Sequence, residues 1–557
     1  MTEQVTILTA AAVRTMDDAV PTGTAVAIRG DKILAVGTPE GLQATYPGAE
    51  IDDRYADQVL APGFVEAHSH MGGEMMSNPN YLGYFPRTSP DGTPLPGAQS
   101  WEGVIDALKT WDAALPAGVP LMARGLDMLF HPGCVLDRHA LDEVSSTRPI
   151  FINHASGHVS TANTVLLKAA GYSEETDIEG VVKGVDGFPT GELQEMEAMM
   201  PIMALAGVDM SKGMTTEAGM YMFAADARNQ GCTTATDLAS FDAVRPGGLD
   251  LLADVTSRDD FSLRLVPATF GGMTKSAEEA QQMAGLVASV QDKGNAKLHL
   301  GTVKLMLDGS IQQYTAKLQD PGYVCNHDAG IWNTDAETFR AQVSAFHKAG
   351  LNIHVHCNGD EATEVFCDAV EDVLADSPRW NHRHTVTHSQ LTTRAQYKRM
   401  AELGMCANIF SNHIWYWGDQ HIDLTVGPDR VQRMNAARTA LDSGVAIALH
   451  CDTPVTPLDP LATASYAAER RTPTGRSWGD AERISVKEAL EAVTIGAAYI
   501  LKLDHLVGSI VPGKYADFAV LDRDPLEVSE PKELRDITVL GTVVGGAHFP
   551  SPVAATV

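Results

Sequence analysis

The chain is poor in cysteine, in positive charge and in long apolar runs. Its seven cysteines among 557 residues are scattered singly, with no C-x-x-C pair. That pattern excludes a disulfide framework and a thiolate zinc ribbon, and fits reduced thiols in a cytoplasmic protein. Only 41 basic residues face 71 acidic ones, a formal net charge of −30. Such a surface repels nucleic acid and anionic membrane and leaves a small molecule as the expected partner. No run is long and apolar enough to span a bilayer. The opening "MTEQVTILTAAAVRTMDDAV" has acids and no basic stretch before an apolar core, so no signal peptide is expected.

What is present is a change of texture along the chain. "VTILTA", "TAVAIRGDKILAVG" and "AEIDD" near the start, and "YADFAVLD", "DITVLGTVVGG" and "HFPSPV" near the end, alternate at the strand period. The two ends, 1–60 and 500–557, are therefore predicted to build one small β domain, a β-sandwich. Between them, residues 61–499 alternate strands with helices. The strands are "VLAPGFVEAHSH", "GCTTATDL", "FSLRLVPATF", "KLHLGTVKLMLDG", "GLNIHVHC", "RHTVTHSQ", "GMCANIF" and "GVAIALHCD". Parallel neighbours require crossovers, and eight such units make a closed (β/α)8 barrel. Residues 75–225 interrupt the pattern after the first strand. With one strand-like stretch, "RPIFINHAS", and Met-rich helical segments near 194–225, they are expected to form an inserted cap. The Met cluster "QEMEAMMPIMA" fits packing of that cap, or an adaptable pocket wall.

Active sites of such barrels gather where strands end, at the C-terminal mouth. His68 and His70 close strand one, strand four carries Lys304, and strand five carries His354 and His356. His388 closes strand six and Asp452 strand eight. A lone His-x-His is weak evidence, but imidazole and carboxylate at four strand ends are the donors that hold zinc-like divalent ions.

In these segments the sequence resembles the amidohydrolase superfamily, and within it the N-substituted formamide deformylase-like branch. The resemblance covers nearly the whole chain, through "APGFVEAHSH", "HPGCVLDRHALDEVSSTRPIFINHASGHVSTAN", "GFPTGELQEME", "VKLMLDGSIQQYTA", "HCNGDEA", "THSQL", "HCDTPVTPLDPL" and "GSIVPGKYADFAVLD". It implies two divalent metal ions, zinc first with manganese or iron as alternatives. His68 and His70 would hold one ion, His356 and His388 the other, with Asp452 completing the site. The family's His-x-x-Gly-Asp motif selects His356 over His354. A carbamylated Lys304 would bridge the ions. A protonated amine repels a dication, whereas addition of CO2 makes it a carboxylate. His158 matches a family histidine placed to polarise a substrate carbonyl, and Glu195 a family acid near the metals.

The reaction implied is hydrolysis of a non-peptide C–N bond in a small amide, N-substituted formamide or carbamate. A hydroxide held between the ions would attack, with Asp452 as catalytic proton shuttle. Cyclic-amide, ester or lactone hydrolysis and aromatic deamination are the alternatives within the superfamily; a binding protein on a degenerate barrel is the alternative outside enzymes. Deamination fits less well, because Gly359 stands where such enzymes place a glutamate. The chain departs from the family pattern at Thr387, where Glu is usual, and at His450-Cys451, where Gly-Ser is usual. It is also unusually aromatic in "NIFSNHIWYWGDQH" after strand seven. Trp417 and His413 in that stretch are the expected contacts for an apolar or ring-bearing part of the substrate. A homodimer is compatible with the fold, and no interface is legible.

Overall fold

The computed structural model describes residues 4–71, 78–206, 215–324 and 330–552. Eight parallel strands follow one another in a single sheet: β1 (Phe64–Glu66), β2 (Cys232–Ser240), β3 (Arg264–Phe270), β4 (Thr302–Met306), β5 (Asn352–Cys357), β6 (Thr385–His388), β7 (Cys406–Ile409) and β8 (Ala446–Leu449). The eight strands fall where the sequence pattern puts them. The amphipathic runs between them are crossover helices, Ala336–Lys348, Asp360–Asp376 and Arg394–Leu403 among them.

Sheet and barrel differ at one seam. β8 and β1 are joined just past their ends, where the Asp452 amide donates to the His68 carbonyl (3.1 Å) and the His70 amide to the Thr453 carbonyl (2.9 Å). The buried Glu66 carboxyl ties the same seam, accepting from the amides of His68 (2.8 Å) and Cys451 (2.9 Å). The result is a (β/α)8, TIM-like barrel.

The period of two decides what faces inward. Val303, Leu305, Ile353, Val355, Val386, Ala407, Ile409 and Leu449 join the apolar core between sheet and helices. Their alternates, Lys304, His354, His356, Thr387, Asn408 and His450, project into the lumen. Below them Val65, Ala67, Val266, Cys406 and Ala448 meet Ala497, Ile500 and Leu503, an apolar plug at the opposite end from the mouth.

The chain ends share one seven-stranded sheet. Its order is Ala547–Pro550, Val539–Val544, Phe518–Leu521, Glu50–Pro62, Val5–Arg14, Thr22–Arg29 and Lys32–Gly37. The run read as one strand, "VLAPGFVEAHSH", is divided between the two bodies. Residues 59–62 belong to the seven-stranded sheet, and the barrel begins at Phe64. Gly63 makes the crossing, and a Cβ there would lie 2.0 Å from the Thr233 hydroxyl. The sheet is bolted to the barrel by Arg264, whose guanidinium meets both oxygens of Asp517 at 2.6 and 2.9 Å with both side chains buried.

The inserted segment holds more structure than its sequence suggests. "RPIFINHAS" is the strand Ile150–His154, but it sits in a five-stranded mixed sheet with Leu121–Leu126, Val159–Ala162, Val181–Lys183 and Pro189–Gln194. The Met-rich run forms the helix Glu195–Leu205, whose Met199 and Met203 pack on Phe151, Leu166 and Tyr172 within the insertion. Further along the same region Met220 and Met222 lie in the helix Glu217–Asn229, and residues 207–214 lie outside the described residues.

Candidate metal centre

Strand ends bring the ligand-type side chains together. His68 Nε2 and His70 Nε2 approach one oxygen of Asp452, Oδ1, at 3.1 and 3.4 Å, and His388 Nδ1 lies 3.6 Å from the other oxygen. Donor atoms of His68, His70 and Asp452 fall within 4.8 Å of one another, as do those of His388, His450 and Asp452. The imidazoles of His68 and His388 stand 4.6 Å apart by ring centres, and those of His356 and His388 4.4 Å. His388, with φ of 70°, and Asp452, with φ of 53°, adopt the left-handed backbone that non-glycine residues avoid. Strain of that kind gathers at functional sites, and here it falls on two of the converging side chains.

This donor set fits a divalent cation. His68 Nδ1, Lys304 Nζ and Asp452 Oδ1 are buried without a hydrogen-bond partner, an arrangement that costs stability unless something else satisfies them. Burial pushes His68 down to about 3, so its ring is neutral, as a ligand must be. Burial raises Asp452, but the imidazoles of His68, His70 and His388 outweigh it and hold the carboxyl well below the usual range. Lys304 is 3 % exposed, and burial lowers its amine to about 8, which raises the share of the free amine that can attack CO2. No ion pair joins Lys304 to Asp308; that carboxylate instead takes the His356 Nδ1 proton at 3.1 Å and the amides of Lys317, Asn358 and Gly359 at 3.1, 3.1 and 2.8 Å. It therefore fixes the His356 ring, whose Nε2 meets only the Asn358 amide at 3.4 Å. His354 is bonded to the Asn352 Oδ1 at 2.8 Å, deeper in the lumen, and has no place in the cluster.

The insertion reaches the same mouth. His158 lies 4.7 Å by ring centres from His356, and its Nδ1 bonds Glu195 Oε2 at 2.8 Å, an oxygen that also accepts from the Asn333 amide at 2.9 Å. Burial opposes charge on both, but their mutual attraction wins, holding His158 above and Glu195 below the ordinary values. Glu195 starts its helix with φ of 64°, and Gly309 leaves room for it: a Cβ at 309 would lie 2.1 Å from Glu195 Oε1.

The aromatic stretch after β7 is the helix Asn412–Gln420. Trp417 is buried and its indole N–H donates to Asp127 of the insertion at 2.7 Å, so it docks the cap on the barrel. His413 packs on Phe410 at 4.4 Å, and Phe410 in turn stacks on His450 at 4.9 Å. Sequence reasoning passed over Asn408, weighed Asp308 only as an ion-pair partner for Lys304, and treated His450 only as a departure from a pattern. The period of two could have placed Asn408 and His450 in the lumen.

A family model described as "Amidohydrolase family" matches residues 56–548, and one for an "Imidazolonepropionase-like composite domain, bacteria" matches 25–49. The chain is 27 % identical to the protein LONG AFTER FAR-RED 3 of Arabidopsis thaliana, covering 98 % of this chain and 91 % of that one. It is 26 % identical to the N-substituted formamide deformylase of Arthrobacter pascens, covering 96 % of each. Among solved structures, an uncharacterized metal-dependent hydrolase from Pyrococcus horikoshii OT3 shares the fold, with a TM-score of 0.69 and 21 % identity over 94 % of this chain and 99 % of that one. With the barrel, the ligand-bearing strand ends and a family match across most of its length, the chain belongs to the amidohydrolase family.

Proposed function

We propose that the protein is a metal-dependent hydrolase that cleaves the C–N bond of a small amide, N-substituted formamide or carbamate. The observation that carries this reading is the convergence of His68, His70, His388 and Asp452, with orphaned donor atoms, at the mouth of the barrel. The likeness to a formamide deformylase over 96 % of both chains supports the substrate class. His68, His70 and Asp452 would hold one divalent ion and His356 and His388 a second. Zinc suits these imidazole and carboxylate donors best, with manganese or iron next, and a carbamylated Lys304 supplies a shared carboxylate. When bound, such ions supply Lewis-acid polarisation of a carbonyl and make water acidic.

The chain's own groups do the rest. Asp452, held ionised among imidazoles, takes a proton from the attacking water and returns it to the leaving nitrogen. His158, oriented by the bond from its Nδ1 to Glu195, turns its Nε2 edge to the carbonyl oxygen. The insertion, residues 75–225, closes over the mouth through the Trp417–Asp127 bond, with Trp417 and His413 backing the wall where an apolar substituent sits. In this reading 61–499 is the catalytic barrel, and the sheet of 1–60 and 500–557 is the sandwich-like support. Both of its faces are apolar, with Val26 and Ile28 on one and Ile7 and Ala27 on the other. A cytoplasmic location is the expected one, and a homodimer is compatible with the fold.

The test is elemental analysis of the purified protein alongside a panel of formamides, amides, carbamates, esters and aminated heterocycles. The expected result is about two zinc-like ions per chain, one CO2 adduct on Lys304 by native mass spectrometry, and release of amine from N-substituted formamides. Turnover confined to esters or to deamination would overturn the substrate class.

A further inference from the structure

We infer that His450 is a positioning residue that fixes the tautomer of His388 through a buried relay running back to the main chain of β1. The inference rests on the metal-site reading above and adds a residue that reading does not use. The relay is built from one unambiguous end. The Asn408 side-chain Nδ2 donates to the Ala67 carbonyl at 3.1 Å, which settles which way the amide points. Its Oδ1 is then the acceptor facing His450 Nδ1 at 3.0 Å, so His450 carries its proton on Nδ1. The His450 Nε2 lone pair is left to face His388 Nδ1 at 3.1 Å. That contact needs the proton on His388 Nδ1, and it leaves the His388 Nε2 lone pair free for a cation.

Each link is held from outside the relay. Asn408 and His450 are fully buried, and His388 is 3 % exposed, so water does not compete for these bonds. The His450 ring is stacked on Phe410, with ring centres 4.9 Å apart and planes 15° from parallel. His388 cannot satisfy its Nδ1 equally well elsewhere, since Asp452 Oδ2 lies at 3.6 Å, beyond a normal hydrogen bond. The same logic acts on the neighbouring strand, where Asp308 takes the Nδ1 proton of His356. There the acceptor is a carboxyl oxygen; at His388 it is an imidazole nitrogen. Partners of this kind orient metal ligands and set their basicity, and their loss typically costs about 10–100-fold in metal affinity. A chain with a small residue at 450 would have nothing at this position to receive the His388 proton.

The two roles open to His450 make different demands. As a direct ligand it would offer its Nε2 lone pair to the cation; as a relay it spends that lone pair on His388. The observed 3.1 Å contact favours the relay. Gln at 450 separates them, because its carbonyl can accept from His388 and its amide can donate to Asn408, while it is a poor ligand. Leu at 450 fills similar space with neither.

The experiment measures zinc affinity of wild type, His450→Leu and His450→Gln by competition with a chromophoric chelator, and Tm of each chelated protein as a check on folding. The expected result is a loss of about 10–100-fold for His450→Leu in at least one zinc site, with most of it recovered in His450→Gln. Wild-type zinc affinity in folded His450→Leu overturns the relay. So does a His450→Gln that folds like wild type yet loses as much affinity as His450→Leu, which is the behaviour of a direct ligand. Absence of zinc binding in wild type would instead overturn the metal-site reading itself, and the two failures are thereby distinct.

Discussion

Asp452 has the most consequential position of any single residue. Its Oδ1 lies between the imidazole nitrogens of His68 and His70 at 3.1 and 3.4 Å. Replacing it with Asn keeps the shape and removes the charge and the proton acceptor. Asp452→Asn is expected to lower kcat by on the order of 10²–10⁴-fold, the range for loss of a general base, while far-UV circular dichroism stays unchanged. A variant that retained its rate would remove Asp452 from proton transfer. The residues named from sequence were those whose chemistry shows in one letter at a strand end: His68, His70, His356, His388 and Asp452. The grip on Asp308 was harder to see, because two of the three amides that meet its carboxyl, those of Asn358 and Gly359, come from the turn after β5.

Elements show the same division. The eight barrel strands were legible because short apolar runs alternate with amphipathic helices along the chain. The five-stranded sheet of the insertion was not, since Val159–Ala162 and Val181–Lys183 are only 4 and 3 residues long and lie among glycines. The crossing at Gly63 was hidden for a different reason: residues 59–65, VLAPGFV, read as one apolar stretch, and the crowding against Thr233 reveals the break. The join between sheet and barrel makes a further prediction. Arg264 and Asp517 are both buried, and Asp517 also accepts from the Gly545 amide at 2.7 Å. Asp517→Ala would leave the Arg264 charge without its partner, a change that costs about 3–5 kcal/mol. Chemical denaturation should show that loss as a lower midpoint; a midpoint within experimental error of wild type would mean the pair is not a structural bolt.

At the scale of the whole molecule, buried titratable groups set how stability follows pH. Burial drives His421 down to about 3, and its Nδ1 bonds the Thr425 hydroxyl at 2.9 Å. An unfolded imidazole titrates near 6.5, so as pH falls below that value the unfolded chain gains a proton that folded His421 refuses. The stability this ring contributes is present above about 6.5 and is lost as pH falls toward 3. Asp127 carries the opposite sign. Burial lifts it to about 6, so its contribution is complete near 4 and is lost as pH rises through 6. His421→Gln removes the first dependence alone. Its Tm relative to wild type should therefore rise as pH is lowered from 6.5 to 4, in protein kept metal-free; a constant difference would show that His421 does not titrate with folding.

Among the described residues no helix is long and apolar enough to cross a membrane, and the six cysteines described are all free. The ligand-type side chains gather at the barrel mouth. The most direct measurement there is release of amine from an N-substituted formamide before chelation, after chelation, and after zinc or manganese is restored. Loss of turnover on chelation and its return with the metal is the expected result. A purified protein that carries no metal, and stays inactive toward the whole panel after zinc and manganese are added, would contradict a metal-dependent hydrolase.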